Sequence, residues 1–176
     1  MSRCSAYRPL CFVIVSLLTG CGQSGASPRA ERGVLDLRSW DFSEREQISI
    51  GGEWHFWWEA LLAPQDAATR SGSPDGLIGV PEFWPMHPNP SNPDEMLPMH
   101  GYATMTLRVL LPREGLPKRF GVFLRGVNSA SRLYAVTSRG VQHLVSHGTV
   151  SAEPSESIPD WSYQYAPFDV EGESEL

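Results

Sequence analysis

Residues 125–132, Arg-Gly-Val-Asn-Ser-Ala-Ser-Arg, place two guanidinium groups, one amide and two hydroxyls within eight positions. Guanidinium forks grip carboxylates or paired hydroxyls bidentately. The segment joins two strand-like runs, where a scaffold commonly carries binding groups. The same residues also have a plainer use: Asn128 and Ser131 can fix a turn through side chain–backbone bonds while Arg125 and Arg132 stand in water. A second group is aromatic and basic. Trp84 opens a proline-rich stretch, and His100 and Tyr102 close it. Trp84 is either an apolar plug or a platform on which a sugar ring stacks. In the binding reading, Trp84, His100 and Tyr102 frame a small polar ligand, with Arg125, Asn128 and Arg132 as polar contacts.

Other chemistries find less support. His143 and His147 stand four apart, which suits a metal on a helix. They lie in an alternating β stretch, however, where four residues carry side chains about 13 Å apart. The acidic pairs Asp94-Glu95, Glu153/Glu156 and Glu171–Glu175 fall in loops or the terminal segment, not at strand ends where a glycosidase dyad would sit. There is no Gly-x-Ser-x-Gly and no phosphate-cradling glycine loop. The sequence therefore assigns no catalytic residue, no metal ligand and no cofactor, and points to a non-enzymatic protein.

The front of the chain speaks to location. Arg3 and Arg8 precede an apolar run from Leu10 to Leu18. Nine residues fall short of the roughly 20 that span a bilayer, and a short apolar run behind basic residues reads as a signal peptide. It ends in Leu18-Thr19-Gly20-Cys21, which resembles a bacterial lipobox. Residues 1–20 are then a removed leader, and the Cys21 thiol accepts diacylglycerol. Cys4 and Cys11 leave with the leader, so no intrachain disulfide and no thiolate zinc site is possible. Loss of Arg3 and Arg8 makes an already acidic chain, formally −6, more acidic still. Such a protein is a poor nucleic-acid binder, and its membrane partner is reached through acyl chains rather than charge. Residues 21–33, rich in Gly and Ser, read as a flexible tether.

The elements that must position these groups read as β. Val34-Leu35-Asp36-Leu37 alternates in part, and Ile48-Ser49-Ile50 alternates. In Trp54-His55-Phe56-Trp57-Trp58, four large aromatics occupy five positions, with Trp54, Phe56 and Trp58 on one strand face and His55 and Trp57 on the other. At about 25 cal/mol per Å², burying four such rings contributes on the order of 15–25 kcal/mol before entropy. The next residues, to Leu62, predict a short helical turn stopped by Pro64, with a polar loop over 66–76. From Pro85 to Pro98, five prolines exclude a central strand or a helix and predict an ordered lid or rim. Strands are expected over 102–111, 119–125, 132–136, 141–145 and 161–170, a spacing that suits a sandwich or barrel. The folded domain runs from 34 to 170, and 171–176 reads as an acidic tail.

Four motifs occur in order: Gly52-x-Trp54-x-Phe56 followed by Leu61-Leu62; Val80-Pro81-x-x-Trp84; Gly101-Tyr102-Ala103-Thr104 with Leu107; and Val127–Tyr134 with Gly148-Thr149-Val150 and Pro159. Together they resemble the extracellular sensory region of bacterial seven-transmembrane receptors with diverse intracellular signalling modules. That resemblance implies a galactose-binding-like jelly-roll sandwich, a sensory role, a small polar ligand such as a carbohydrate, and a downstream signalling partner. The family supplies further strands and membrane helices beyond the point that corresponds to Leu176. The same fold resembles the non-catalytic sugar-binding domain of some β-glycosidases, which is one alternative; a structural envelope lipoprotein with no small ligand is another.

Overall fold

The computed structural model describes residues 27–69, 73–124 and 129–176. The leader, Cys21, the start of the tether, Arg125 and Asn128 lie outside the described residues. The protein is all-β. Eleven strands form among the described residues: β1 (Val34–Asp36), β2 (Gly52–Trp58), β3 (Gly76–Val80), β4 (Pro88–Asn89), β5 (Asn92–Met96), β6 (Ala103–Thr106), β7 (Arg108–Leu110), β8 (Arg119–Leu124), β9 (Ser131–Thr137), β10 (Gly140–His147) and β11 (Gln164–Asp169). One short α-helix, α1 (Pro64–Thr69), and one 3-10 turn, Trp84–Met86, interrupt them.

The aromatic strand β2 is central in its sheet, with β3 and β6 antiparallel on either side. Phe56 meets Ile78 and Leu97 in a buried cluster, with Trp54, Trp58, Trp84 and Met105 packed around it. On the other face Trp57 is also buried. Heavy aromatic cover on both faces is what the alternation demands, and these rings form core. β1 pairs in parallel with β7, and Leu35 anchors a second cluster with Leu37, Phe42 and Ala30. β8 pairs with β11, and β9 with β10 as a hairpin; Ala135, Phe168 and Val170 form the third cluster between them. Trp54 belongs to the margins of the first two clusters, and Phe120 and Leu116 to those of the second and third. The core is therefore continuous.

Several expectations need correction. The tether does not extend through Gly33. Ala30 is buried and accepts from the Glu53 amide at 2.9 Å, while the Gly33 amide donates to Glu53 O at 3.0 Å. Gly-rich composition masked a segment pinned to the edge of β2. Residues 58–62 are not helical either: Trp58 ends β2, and the helix begins at Pro64, whose fixed φ and missing N–H suit a first helical position. Instead Thr104 Oγ1 accepts from the Leu62 amide and donates to Ala60 O, tying 60–62 to β6. The expected loop over 66–76 is partly this helix and leads into β3, which pairs with β2. The run 102–111 changes partner at Leu107, pairing with β2 before it and β1 after it.

The acidic terminal residues are not a free tail. Val109 and Leu176 exchange two backbone bonds of 2.9 Å, and the Leu111 amide donates to Ser174 O. This places 174–176 beside β7, on the opposite edge from β1. The proline stretch is ordered as an exposed hairpin, β4–β5, paired only with itself. The Asn89 side chain closes its turn by accepting from the Ser91 amide at 2.9 Å, and Leu97 anchors it in the core. Prolines fit there because an edge strand need not donate.

Candidate functional site

The structure divides the expected ligand-framing set. Trp84 packs edge-on against Trp58, ring centroids 5.5 Å apart, and works as the plug. Gly101 lies flat against the Trp58 ring, where a methyl would collide with it. Tyr102 is half-buried beside it, its carbonyl accepting from the Glu59 amide at 2.9 Å. His100 is exposed. Trp84, Gly101 and Tyr102 thus gather around Trp58 at the end of the β3–β2–β6 sheet, while His100 stands in solvent. Arg132 stands elsewhere, on β9. No hydrogen bond, ion pair or ring contact among the described residues joins it to Trp84, His100 or Tyr102.

The outer side of β8 and β11 carries residues that the motif reading missed. Along β8, Phe120, Val122 and Leu124 turn toward the core, leaving Gly121 and Phe123 outside. Along β11, Ala166 and Phe168 are buried and Tyr165 is outside, directly across from Phe123. Tyr163 and Trp161 continue that outer row. Phe123, Trp161, Tyr163 and Tyr165 are 56, 60, 61 and 66% exposed, in a protein whose other tryptophans and most of whose phenylalanines pack inward. The rings touch in series: Trp161 meets Tyr163 edge-on at 5.6 Å, and Tyr163 lies parallel to Phe123, planes 16° apart, at 6.2 Å. Tyr165 lies over the bare backbone of Gly121, since a side chain there would run into the Tyr165 ring. Glycine at 121 lets a tyrosine recline and turn a ring face to solvent.

A polar set lies on the outer side of the neighbouring β9–β10 hairpin. Gln164 Nε2 donates to Ser146 O at 3.1 Å and Gln142 Nε2 to Asp169 O at 3.3 Å, which holds β10 alongside β11. On the outer side of the β9–β10 hairpin, Arg132 is paired in register with Ser146, and Tyr134 with His143. His143 Nε2 and Ser146 Oγ share a 2.8 Å hydrogen bond. The bulge between His143 and Val145 then sends His147 inward, fully buried, with Ser162 Oγ 3.4 Å from Nδ1. The two histidines therefore face opposite sides of the hairpin. Among the described residues no group of three His, Cys, Asp or Glu converges on a common point.

The hairpin that carries Arg132 is held from below by Glu173. This side chain is 3% exposed. It accepts from the Ser138 amide at 3.0 Å and the Ser138 hydroxyl at 2.9 Å, and Arg139 Nε lies 3.4 Å away. The Ser138 amide, then its hydroxyl and the Arg139 charge, hold this carboxyl below the usual carboxylate range, against the opposing effect of burial. An open depression between residues 112–118 and 171–174, about 430 Å³, is bordered by the Lys118–Glu171 ion pair and carries no aromatic ring.

The signal for the outer row was present in the sequence. In residues 161–170 the aromatics Trp161, Tyr163 and Tyr165 sit at odd positions, while Ala166, Phe168 and Val170 sit at even ones. A strand with apolar side chains on both faces is either wholly buried or exposes one row of rings. Only tertiary structure decides between these. Comparison with protein-family models, curated proteins and solved structures finds no match to this chain.

Proposed function

We propose that this chain is an exported, lipid-anchored, extracytoplasmic ligand-binding or sensory module, non-enzymatic, built as a galactose-binding-like jelly roll and taking a polar ligand such as a carbohydrate. The observation that carries the reading is the solvent-facing row Trp161–Tyr163–Phe123–Tyr165. Rings that expose a face bind the apolar side of a sugar. The shared core between the β8–β11 and β9–β10 pairs supports a layered β architecture. Export and anchoring rest on the leader and Cys21.

The test is thermal unfolding of the full chain in detergent micelles, screened against sugars and small carboxylates. A ligand at 100 times its dissociation constant adds about 2.7 kcal/mol, which for this chain length is a rise of about 5–10 °C. No rise with any compound overturns the reading and favours a structural envelope lipoprotein.

A further inference from the structure

We infer that the outer aromatic row binds an extended, uncharged glycan chain lying across several rings, rather than a single sugar held in a pocket. This deepens the ligand-binding reading and rests on it. Three observations support it. First, the site is a row, not a cavity. Trp161, Tyr163 and Phe123 follow one another at 5.6 and 6.2 Å between centroids, so a ligand that covers one ring leaves the next exposed. Second, the planes turn. They differ by 61° between Trp161 and Tyr163 and by 16° between Tyr163 and Phe123. A flat crystalline polysaccharide surface needs coplanar rings, whereas a single chain with successive sugars rotated about their linkages can follow this step. Third, Asp169, on the outer side of β11, is paired with Arg119 across from it on β8 at 3.0 Å, so neither presents an unmatched charge to the row, which favours an uncharged ligand.

Other occupants fit less well. Four aromatic side chains bury about 150–250 Å² each when covered, so at these exposures they offer roughly 400–600 Å², short of the about 800 Å² per partner of a stable protein contact. A second copy of the chain is thus not the expected occupant. A bilayer is entered by rings that project, whereas Tyr165 reclines on Gly121, and the acidic chain is repelled by anionic lipid.

The experiment is calorimetric titration of the full chain in detergent micelles with cello-, chito- and malto-oligosaccharides, each from monosaccharide to hexamer. In at least one series affinity should rise with length. Trp161→Ala and Tyr165→Ala should each weaken hexamer binding about tenfold or more, or about 1.4 kcal/mol. Gly121→Ala, which removes no ring but drives Tyr165 off its seat, should weaken it as well, with far-UV dichroism unchanged. Arg113→Ala, outside the row, should bind like the parent. Length-independent affinity, or ring variants that bind like the parent, overturns this inference while leaving a sugar-binding module in place. Absence of binding in every series overturns both. Aromatic-dependent flotation with anionic vesicles, without glycan binding, assigns the row to a membrane instead.

Discussion

Glu173→Gln tests whether the terminal segment is a working part of the fold. The native carboxylate accepts two hydrogen bonds from Ser138 and faces Arg139. Hydrogen bonds to a charged acceptor contribute about 1.5–3 kcal/mol. Ser138 is exposed, so water replaces part of what is lost, and the expected cost is about 2 kcal/mol. For a chain of this length that lowers the melting temperature by about 4–8 °C. The pH dependence has a definite sign. A carboxyl held below its ordinary value of 4.5 stabilises the fold fully above that pH and progressively less as pH falls through its folded value. Scanning calorimetry of parent and Glu173→Gln should therefore show the full gap at pH 7 and a shrinking gap below about pH 4.5. Ser138→Ala should lose less stability in the Glu173→Gln background than in the parent, since the two changes remove one shared interaction. A gap under 1 °C at pH 7, or one that persists unchanged on acidification, refutes the clamp.

Other perturbations follow from the same packing. Phe56→Ala removes a buried ring from the β2–β3 cluster and should cost about 3–5 kcal/mol by urea unfolding; a cost below 1 kcal/mol contradicts the core assignment. Gly52 has φ +131°, and a side chain there would collide with the backbone of Ala30. Gly52→Ala should cost about 1–3 kcal/mol and speed exchange of the Ala30 and Glu53 amides; unchanged exchange would mean that 30–33 is not pinned. Cys21→Ser should abolish the diacylglycerol mass increment and release the chain from the membrane fraction. Parent protein with an unmodified Cys21 and an intact leader sinks the anchoring proposal.

The elements legible in the sequence are those whose side chains set the answer locally. Alternation in 102–111, 119–125 and 132–136 located strands, and two-sided aromatics marked β2 as interior. Prolines at 88 and 93 correctly excluded a central strand, and the stretch folds as an edge hairpin. What failed was decided by distant partners. Nothing local distinguishes Gly33 in a tether from Gly33 donating to Glu53 O. Likewise, Glu173 and Leu176 look like an acidic tail until β7 and the Ser138 turn are placed beside them. Trp84 was legible as an aromatic at a loop root, but its role as plug depends on Trp58. The outer row needed β8 beside β11 to bring Phe123 to Tyr163.

Hydroxyl-radical footprinting of the full chain, free and with an oligosaccharide hexamer, tests the exposed ligand face most directly. In the free protein Trp161, Tyr163, Tyr165 and Phe123 should oxidise readily while Phe56 and Trp57 resist, and the hexamer should protect the first four alone. Outer rings as protected as Phe56 without ligand, or unchanged when it is added, would contradict the account.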